Sequence, residues 1–365
     1  LSYNQPYRDP DLSRQMIGRI REMEKRLKGR PVRIMEVCGT HTVAIFRSGI
    51  RSLLPPSIRL ISGPGCPVCV TDQGEIDACI DLAARPDVIL ATFGDLMRVP
   101  GTKTSLQRLK AEGRDIRIIY SAADILELAR QHPDRNIVLA GVGFETTAPT
   151  VAAAVLAARR AGLSNCFVLS AHKRLTPAME TLMQLPDAAI DAFLLPGHVS
   201  VVIGEEGYRE FFDGHPLPGV IIGFEPADIL HGILTIMEMI AAGQSGLVNG
   251  YLRAVRPEGN PRARAVMETV FDIAAADWRG IGTIPDGGFA LKKEYEDLDP
   301  LKHFDMPMPR AAANPACACG DILIGRLTPP ECRLYRKACT PVQPMGPCMV
   351  SSEGTCAAYY RYHRS

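Results

Sequence analysis

The chain has 365 residues, 46% of them hydrophobic and 22% charged, with 41 Lys+Arg against 40 Asp+Glu. That is length for two ordinary domains and a small third, and the near-neutral balance argues against a nucleic-acid or anionic-membrane binder. No run of about 18 apolar residues is present, and the opening Leu1-Ser2-Tyr3-Asn4-Gln5-Pro6 lacks the apolar core of a secretory signal, so the expected location is cytoplasmic.

Along the chain, short β-branched runs alternate with amphipathic stretches. Strands are expected at residues 32–37, 58–62, 88–93, 116–120, 137–142, 166–170, 192–195 and 220–224, with helices at 42–54, 74–84, 122–131, 147–161 and 227–242. Strand and helix taking turns predicts an α/β fold of parallel sheets, whose ligands bind where strands end and helices begin. A short echo, Gly143-Phe144-Glu145-Thr146 and Gly223-Phe224-Glu225-Pro226, suggests two Rossmann-like sheet units, with the division expected near residues 131–136. The expected domains are thus 1–135, 136–310 and a small module at 311–365, fed by a Pro-, Gly- and charge-rich linker over 284–315.

Cysteine is the informative residue. There are 11, and six of them, Cys317, Cys319, Cys332, Cys339, Cys348 and Cys356, crowd the last part of the chain. In a reducing compartment such density points to a metal, a cluster or redox chemistry rather than to structural disulfides. Four thiolates suffice for an iron–sulfur cluster or a structural zinc, and the spacing here does not choose between them.

Three further motifs sit at expected strand ends. In Glu36-Val37-Cys38-Gly39-Thr40-His41-Thr42 a helix start follows Cys38, which favours a thiolate, and His41 is close enough to assist or to ligate a metal; a buried thiol with a capping histidine is the plainer alternative. Gly63-Pro64-Gly65-Cys66-Pro67-Val68-Cys69 carries a Cys-x-x-Cys pair suited to an exchangeable dithiol or an open soft-metal site, since no second pair follows at zinc-ribbon spacing. Glu145 and His198, the latter in Pro196-Gly197-His198-Val199-Ser200, are placed to orient a ligand, with helix capping and a satisfied turn histidine as the bland readings. Gly141-Val142-Gly143 lacks the third glycine of a dinucleotide fingerprint, Cys79 and Cys166 are assigned to packing, and Trp278 has no motif around it.

Cys38-Gly39-Thr40-His41-Thr42, Gly65-Cys66-Pro67-Val68-Cys69, Gly143-Phe144-Glu145-Thr146-Thr147-Ala148-Pro149-Thr150, Pro196-Gly197-His198-Val199-Ser200 and the six-cysteine tail, in this order, closely resemble the HypD family of NiFe-hydrogenase maturation proteins. The resemblance implies a scaffold for assembly of the Fe(CN)2CO group, working with the chaperone HypC and receiving cyanide from HypE, which HypF supplies. By that likeness Cys38 is an iron ligand, Cys66 and Cys69 a redox pair near the iron, and Cys317, Cys332, Cys339 and Cys356 the ligands of a 4Fe-4S cluster arranged as in ferredoxin:thioredoxin reductase, with Cys319 and Cys348 an adjacent disulfide. Glu145 and His198 are expected to line the cleft and to bond cyanide or move protons. The rival readings are a stand-alone thiol–disulfide oxidoreductase using Cys66 and Cys69, and a zinc-tailed adaptor.

Overall fold

The computed structural model describes residues 5–186 and 189–363; of the opening segment discussed above, residues 1–4 lie outside the described residues. All the expected strands form: β1 (Val32–Glu36), β2 (Ile58–Ser62), β3 (Val88–Thr92), β4 (Ile116–Ile118), β5 (Asn136–Gly143), β6 (Cys166–His172), β7 (Ala192–Pro196) and β8 (Pro218–Ile222). Three more follow, β9 (Gly246–Asn249), β10 (Phe271–Trp278) and β11 (Gly282–Leu291). The expected linker therefore begins inside a strand: β10 and β11 form an antiparallel hairpin that bears the fully buried Trp278. Alternation in the hairpin is weak because most of its side chains are exposed on one face, so little apolar signal reaches the sequence. The expected helix over 42–54 is two helices, Gly39–Arg47 and Ile50–Leu53, broken where Gly49 takes a left-handed φ of 72°.

The fold is α/β with two parallel sheets, in the orders β2-β1-β7-β8-β9 and β4-β3-β5-β6. The division expected near residue 135 is not where the sheets part. β3 pairs with β5 across that point, from Val88 against Asn136 to Ala91 against Leu139, and β1 pairs with β7 across most of the chain, from Ile34 against Ala192 to Glu36 against Leu194. The chain lays down two strands of the first sheet, builds the whole second sheet, and returns to finish the first. Strand periodicity carries no information about which neighbour a strand selects, so this interleaving was hidden. β3, β7 and β8 are buried along their whole length, as strands covered on both faces must be.

Each sheet has one point where the connections leave in opposite directions, between β1 and β7 and between β3 and β5. Crevices at such points are the ligand sites of open parallel sheets. Cys38 follows β1, His198 follows β7 and Glu145 follows β5, so the motif residues fall at both.

The cysteine-rich tail consists of short helices, Cys319–Leu323, Pro347–Val350 and Thr355–Tyr362. It shares one continuous hydrophobic core with both sheets: Ile322, Leu323, Met349 and Tyr359 pack with Met35, Cys69, Val142 and Leu195. Tyr359 meets Phe46 edge-on, with ring centroids 4.5 Å apart.

The loops after β1 and β2 cross at backbone contact. Gly39 N donates to Gly65 O at 2.9 Å, and a Cβ on Gly65 would lie 2.1 Å from Cys38 N. Gly65→Ala should therefore push the two loops apart and cost about 3 kcal/mol. Gly18→Ala, on an exposed face of the helix Pro10–Arg26 with nothing within 4 Å, should instead stabilise by roughly 0.5–1 kcal/mol. Urea unfolding of the two variants checks the contrast, and equal effects would refute the crossing.

Candidate functional site

The site is best built from Cys38. It is the residue before the helix Gly39–Arg47 and is 7% exposed. The N–H groups of Thr40 and His41 draw its pKa down, as a helix start should, but burial is the larger effect and, aided by the carboxyls of Glu353 and Glu36, pushes the thiol up to about 12. The expected resting thiolate is thus corrected: Cys38 keeps its proton until something replaces it. Beside it, the fully buried Glu36 accepts the Cys38 N–H at 3.3 Å and the Thr42 hydroxyl, and burial raises its carboxyl to about 8.

Cys66 and Cys69 lie on the neighbouring loop, at the start and within the short helix Pro67–Val70, with their sulfurs 2.6 Å apart. Cys66 lies against Gly39, the residue after Cys38, since a Cβ on Gly39 would stand 3.2 Å from the Cys66 Cβ. The tail closes over both. Ser351 donates to Asp95 at 3.0 Å and lies 3.3 Å from the Cys66 sulfur, while Glu353 accepts the Thr40 hydroxyl. The thiols then continue as a file: Cys69 interacts electrostatically with Cys348, Cys348 lies 2.7 Å from Cys319, and Cys319 interacts with Cys317. All four cysteines from Cys66 to Cys319 along this file are buried.

The remaining predicted ligands divide. Glu145 is buried, and its Oε1 accepts the Leu175 N–H at 2.9 Å, so it fastens the helix Leu175–Met183 rather than capping its own helix. Its Oε2 has no partner. The buried Tyr208 is 3.0 Å from Ser200 and interacts electrostatically with both Glu145 and Cys38. His198 is exposed and stacks on Phe224 at 3.9 Å, and the buried His41 stacks on the same ring at 4.7 Å. Burial lowers His41 to about 3, so it is neutral; Nε2 lies 3.0 Å from Gly223 O, to which it donates, and leaves Nδ1 as an unpartnered acceptor. Cys79 and Cys166 are buried in a helix and at the start of β6, as packing requires.

Among the described residues no three His, Cys, Asp or Glu side chains are already grouped as around a metal ion. The tail nevertheless has the right donors for a cluster. Cys356 interacts electrostatically with Cys317, Cys332 and Cys339, and backbone N–H groups of Met345 and Gly346 point at the Cys339 sulfur, the first at 3.4 Å. Gly346 leaves the space a side chain would fill, 2.7 Å from the Cys317 sulfur. Four thiols with amide donors around a glycine-lined space suit an iron–sulfur cluster.

Glu36, Asp95, Tyr208 and the Ser351–Glu353 turn were not among the predicted residues. Glu36, Asp95 and Glu145 share a legible signal, an acidic residue at a strand's carboxyl end; Tyr208 and the tail turn had none. Because Glu36 binds its proton far more tightly when folded, its favourable contribution is complete below about pH 4.5 and is lost as the pH rises to about 8. Relative to the parent, Glu36→Gln should gain stability steadily across that window. Urea melts at pH 5 and pH 8 test this, and a constant difference would disprove a protonated buried Glu36.

The chain is similar to known proteins over nearly its whole length. The family model described as "HypD: Hydrogenase formation hypA family" matches residues 11–363. The chain is 42% identical to the hydrogenase maturation factor HypD of Escherichia coli, covering 98% of this chain and 97% of that protein. It is 44% identical to HypD of Rhizobium leguminosarum bv. viciae, covering 100% and 96%. A hydrogenase expression/formation protein of Methanocaldococcus jannaschii is 39% identical, covering 98% of each. With its strand-end cysteines, its thiol-rich tail and full-length similarity of this degree, the chain belongs to the HypD family and acts in hydrogenase maturation.

Proposed function

We propose that the protein is the scaffold on which the Fe(CN)2CO group of NiFe hydrogenases is assembled in the cytoplasm, with Cys38 binding iron opposite a cysteine of the chaperone HypC and with cyanide received from HypE, itself supplied by HypF. The observation that supports this reading above others is the file of sulfurs from Cys66 to Cys317, which ends beside Cys38. Iron(II) with cyanide and CO is a soft substrate for which thiolate is the suited ligand, and metal binding is what removes the Cys38 proton. An open groove of about 560 Å³, lined by Thr40, Val43, Arg47, Phe224 and Glu353, runs beside Cys38 and suits a chaperone segment. Among the described residues no helix is long and apolar enough to cross a membrane.

The tail residues Cys317, Cys332, Cys339 and Cys356 would hold a 4Fe-4S cluster. When bound, such a cluster supplies electrons one at a time. The neighbouring thiols can pass electron pairs by exchange. In the reduced Cys319/Cys348 pair, Cys348 attacks Cys69 of a Cys66–Cys69 disulfide and Cys66 leaves as thiolate; Cys319 then attacks Cys348 and releases Cys69. One disulfide is reduced and the other formed, so two electrons have moved toward Cys38. Glu145 and His198 border the cleft, where the free Oε2 of Glu145 can accept a proton or bond a ligand. The deep burial of Cys66, Cys69, Cys319 and Cys348 argues against a stand-alone oxidoreductase, whose pair must meet a folded protein's disulfide.

Cys38→Ser should fold and keep the tail cluster, yet lose the infrared bands of bound cyanide and CO when isolated anaerobically with HypC. Persistence of those bands would remove Cys38 from the iron site. In the parent protein, brown colour with iron and acid-labile sulfide is expected, and zinc without sulfide would refute the cluster. Cys356→Ser should bleach that colour and lower the melting temperature, because cluster binding is coupled to folding of the tail.

A further inference from the structure

In the otherwise buried run over residues 192–200, His198 alone is exposed. No hydrogen bond or ion pair among the described residues holds its imidazole, which leaves both ring nitrogens open to a ligand. Its ring contact is the stack on Phe224, with centroids 3.9 Å apart and planes 25° from parallel. An exposed imidazole without a hydrogen bond samples several rotamers, and a stack of this kind is worth roughly a three- to tenfold preference for one of them. Phe224 is itself fixed. The same ring stacks on the buried His41 at 4.7 Å, and Tyr251 meets it edge-on at 6.2 Å. The preceding Gly223 accepts the His41 Nε2–H at 3.0 Å and has no room for a side chain, since a Cβ would lie 2.3 Å from Asp228 Oδ2 and 2.7 Å from Tyr251 Cε2. Asp228 accepts the Glu225 N–H at 3.2 Å and is held by Nη1 and Nη2 of Arg253. His41 lies in the helix that Cys38 opens, His198 follows β7 and Phe224 follows β8, so the three rings join the ends of three neighbouring strands.

We propose that Phe224 is a positioning residue for assembly of the iron group, its ring setting the His198 imidazole in one orientation beside the groove that runs past Cys38. This rests on the reading above that His198 bonds cyanide or moves protons there. Phe224 acts only through His198: it keeps one edge of the imidazole turned to the incoming ligand, so that the cost of ordering that side chain is met before the ligand arrives. An aromatic ring is required. An aliphatic side chain of similar volume fills the space but offers no flat face to fix the tilt of the imidazole. His41 serves the same end from within the core, because its bond to Gly223 and its stack on Phe224 tie the ring to the helix that starts at Cys38.

The test follows the growth of the infrared bands of iron-bound cyanide in the anaerobic full-length protein, at saturating HypC and over a series of HypE concentrations with HypF present. Phe224→Leu should lower the limiting rate about three- to tenfold, the factor lost with one aromatic stack, and leave the half-saturating HypE concentration in place. Phe224→Tyr, which keeps the ring, should recover most of that loss. His198→Ala should be slowed at least as far, and adding Phe224→Leu to it should slow it no further, because a residue that acts through another has nothing to add once that one is gone. Multiplying losses in the double variant, or a parental rate in Phe224→Leu, would overturn the proposal and leave the role of His198 standing. A defect confined to subsaturating HypC would assign Phe224 to chaperone docking and overturn it likewise. A parental rate in His198→Ala would remove the reading on which the proposal rests, and the proposal with it. If the parent forms no such bands, the scaffold reading itself falls and takes both with it.

Discussion

A cysteine buried away from water keeps its proton or shares its sulfur with another atom, and the rest of this structure depends on that constraint. Cys69 is wholly enclosed, Cys348 and Cys319 nearly so, and Cys38 is raised to about 12 by the same desolvation. None is a standing nucleophile. The dry environment sets the sulfurs of the file chiefly against one another.

The enclosure is the work of three stretches of chain that are remote in sequence. The loops after β1 and β2 cross at backbone contact, which sets Cys38 beside Cys66. The turn Ser351–Glu353 then lies over both, held by Asp95 after β3 and by Thr40 after β1. The tail is therefore a lid fastened by both sheets. Its hydrophobic residues belong to the same core as the strands, so the expected third module at 311–365 is not energetically separate from the body.

The two connection-reversal points explain why one family of short motifs is spread over the whole chain. Each motif is a strand end, and each strand end belongs to a crevice at the carboxyl edge of a sheet. The echo between Gly143-Phe144-Glu145 and Gly223-Phe224-Glu225 is the visible trace of this arrangement, one copy following β5 in the second sheet and the other following β8 in the first. The two stretches differ in use. Glu145 is buried with a free oxygen, whereas Glu225 is bonded by the guanidinium of Arg8, and Phe224 is the ring between His41 and His198.

Local patterns in the sequence determined the eight parallel strands, the α/β class, the placing of Cys38, Cys66, Glu145 and His198 at strand ends, and the thiol-rich tail. Each of these follows from periodicity, turn chemistry or composition within a few residues, which the chain carries wherever it folds. The sheet partners, the hairpin around Trp278, the file of sulfurs and the protonation of Cys38 and Glu36 were decided only by tertiary structure. Pairing β1 with β7, or Cys69 with Cys348, joins residues separated by well over a hundred positions, and a pKa depends on how much water the whole fold removes. Neither quantity is a property of a short segment, so no pattern of neighbouring letters can record it.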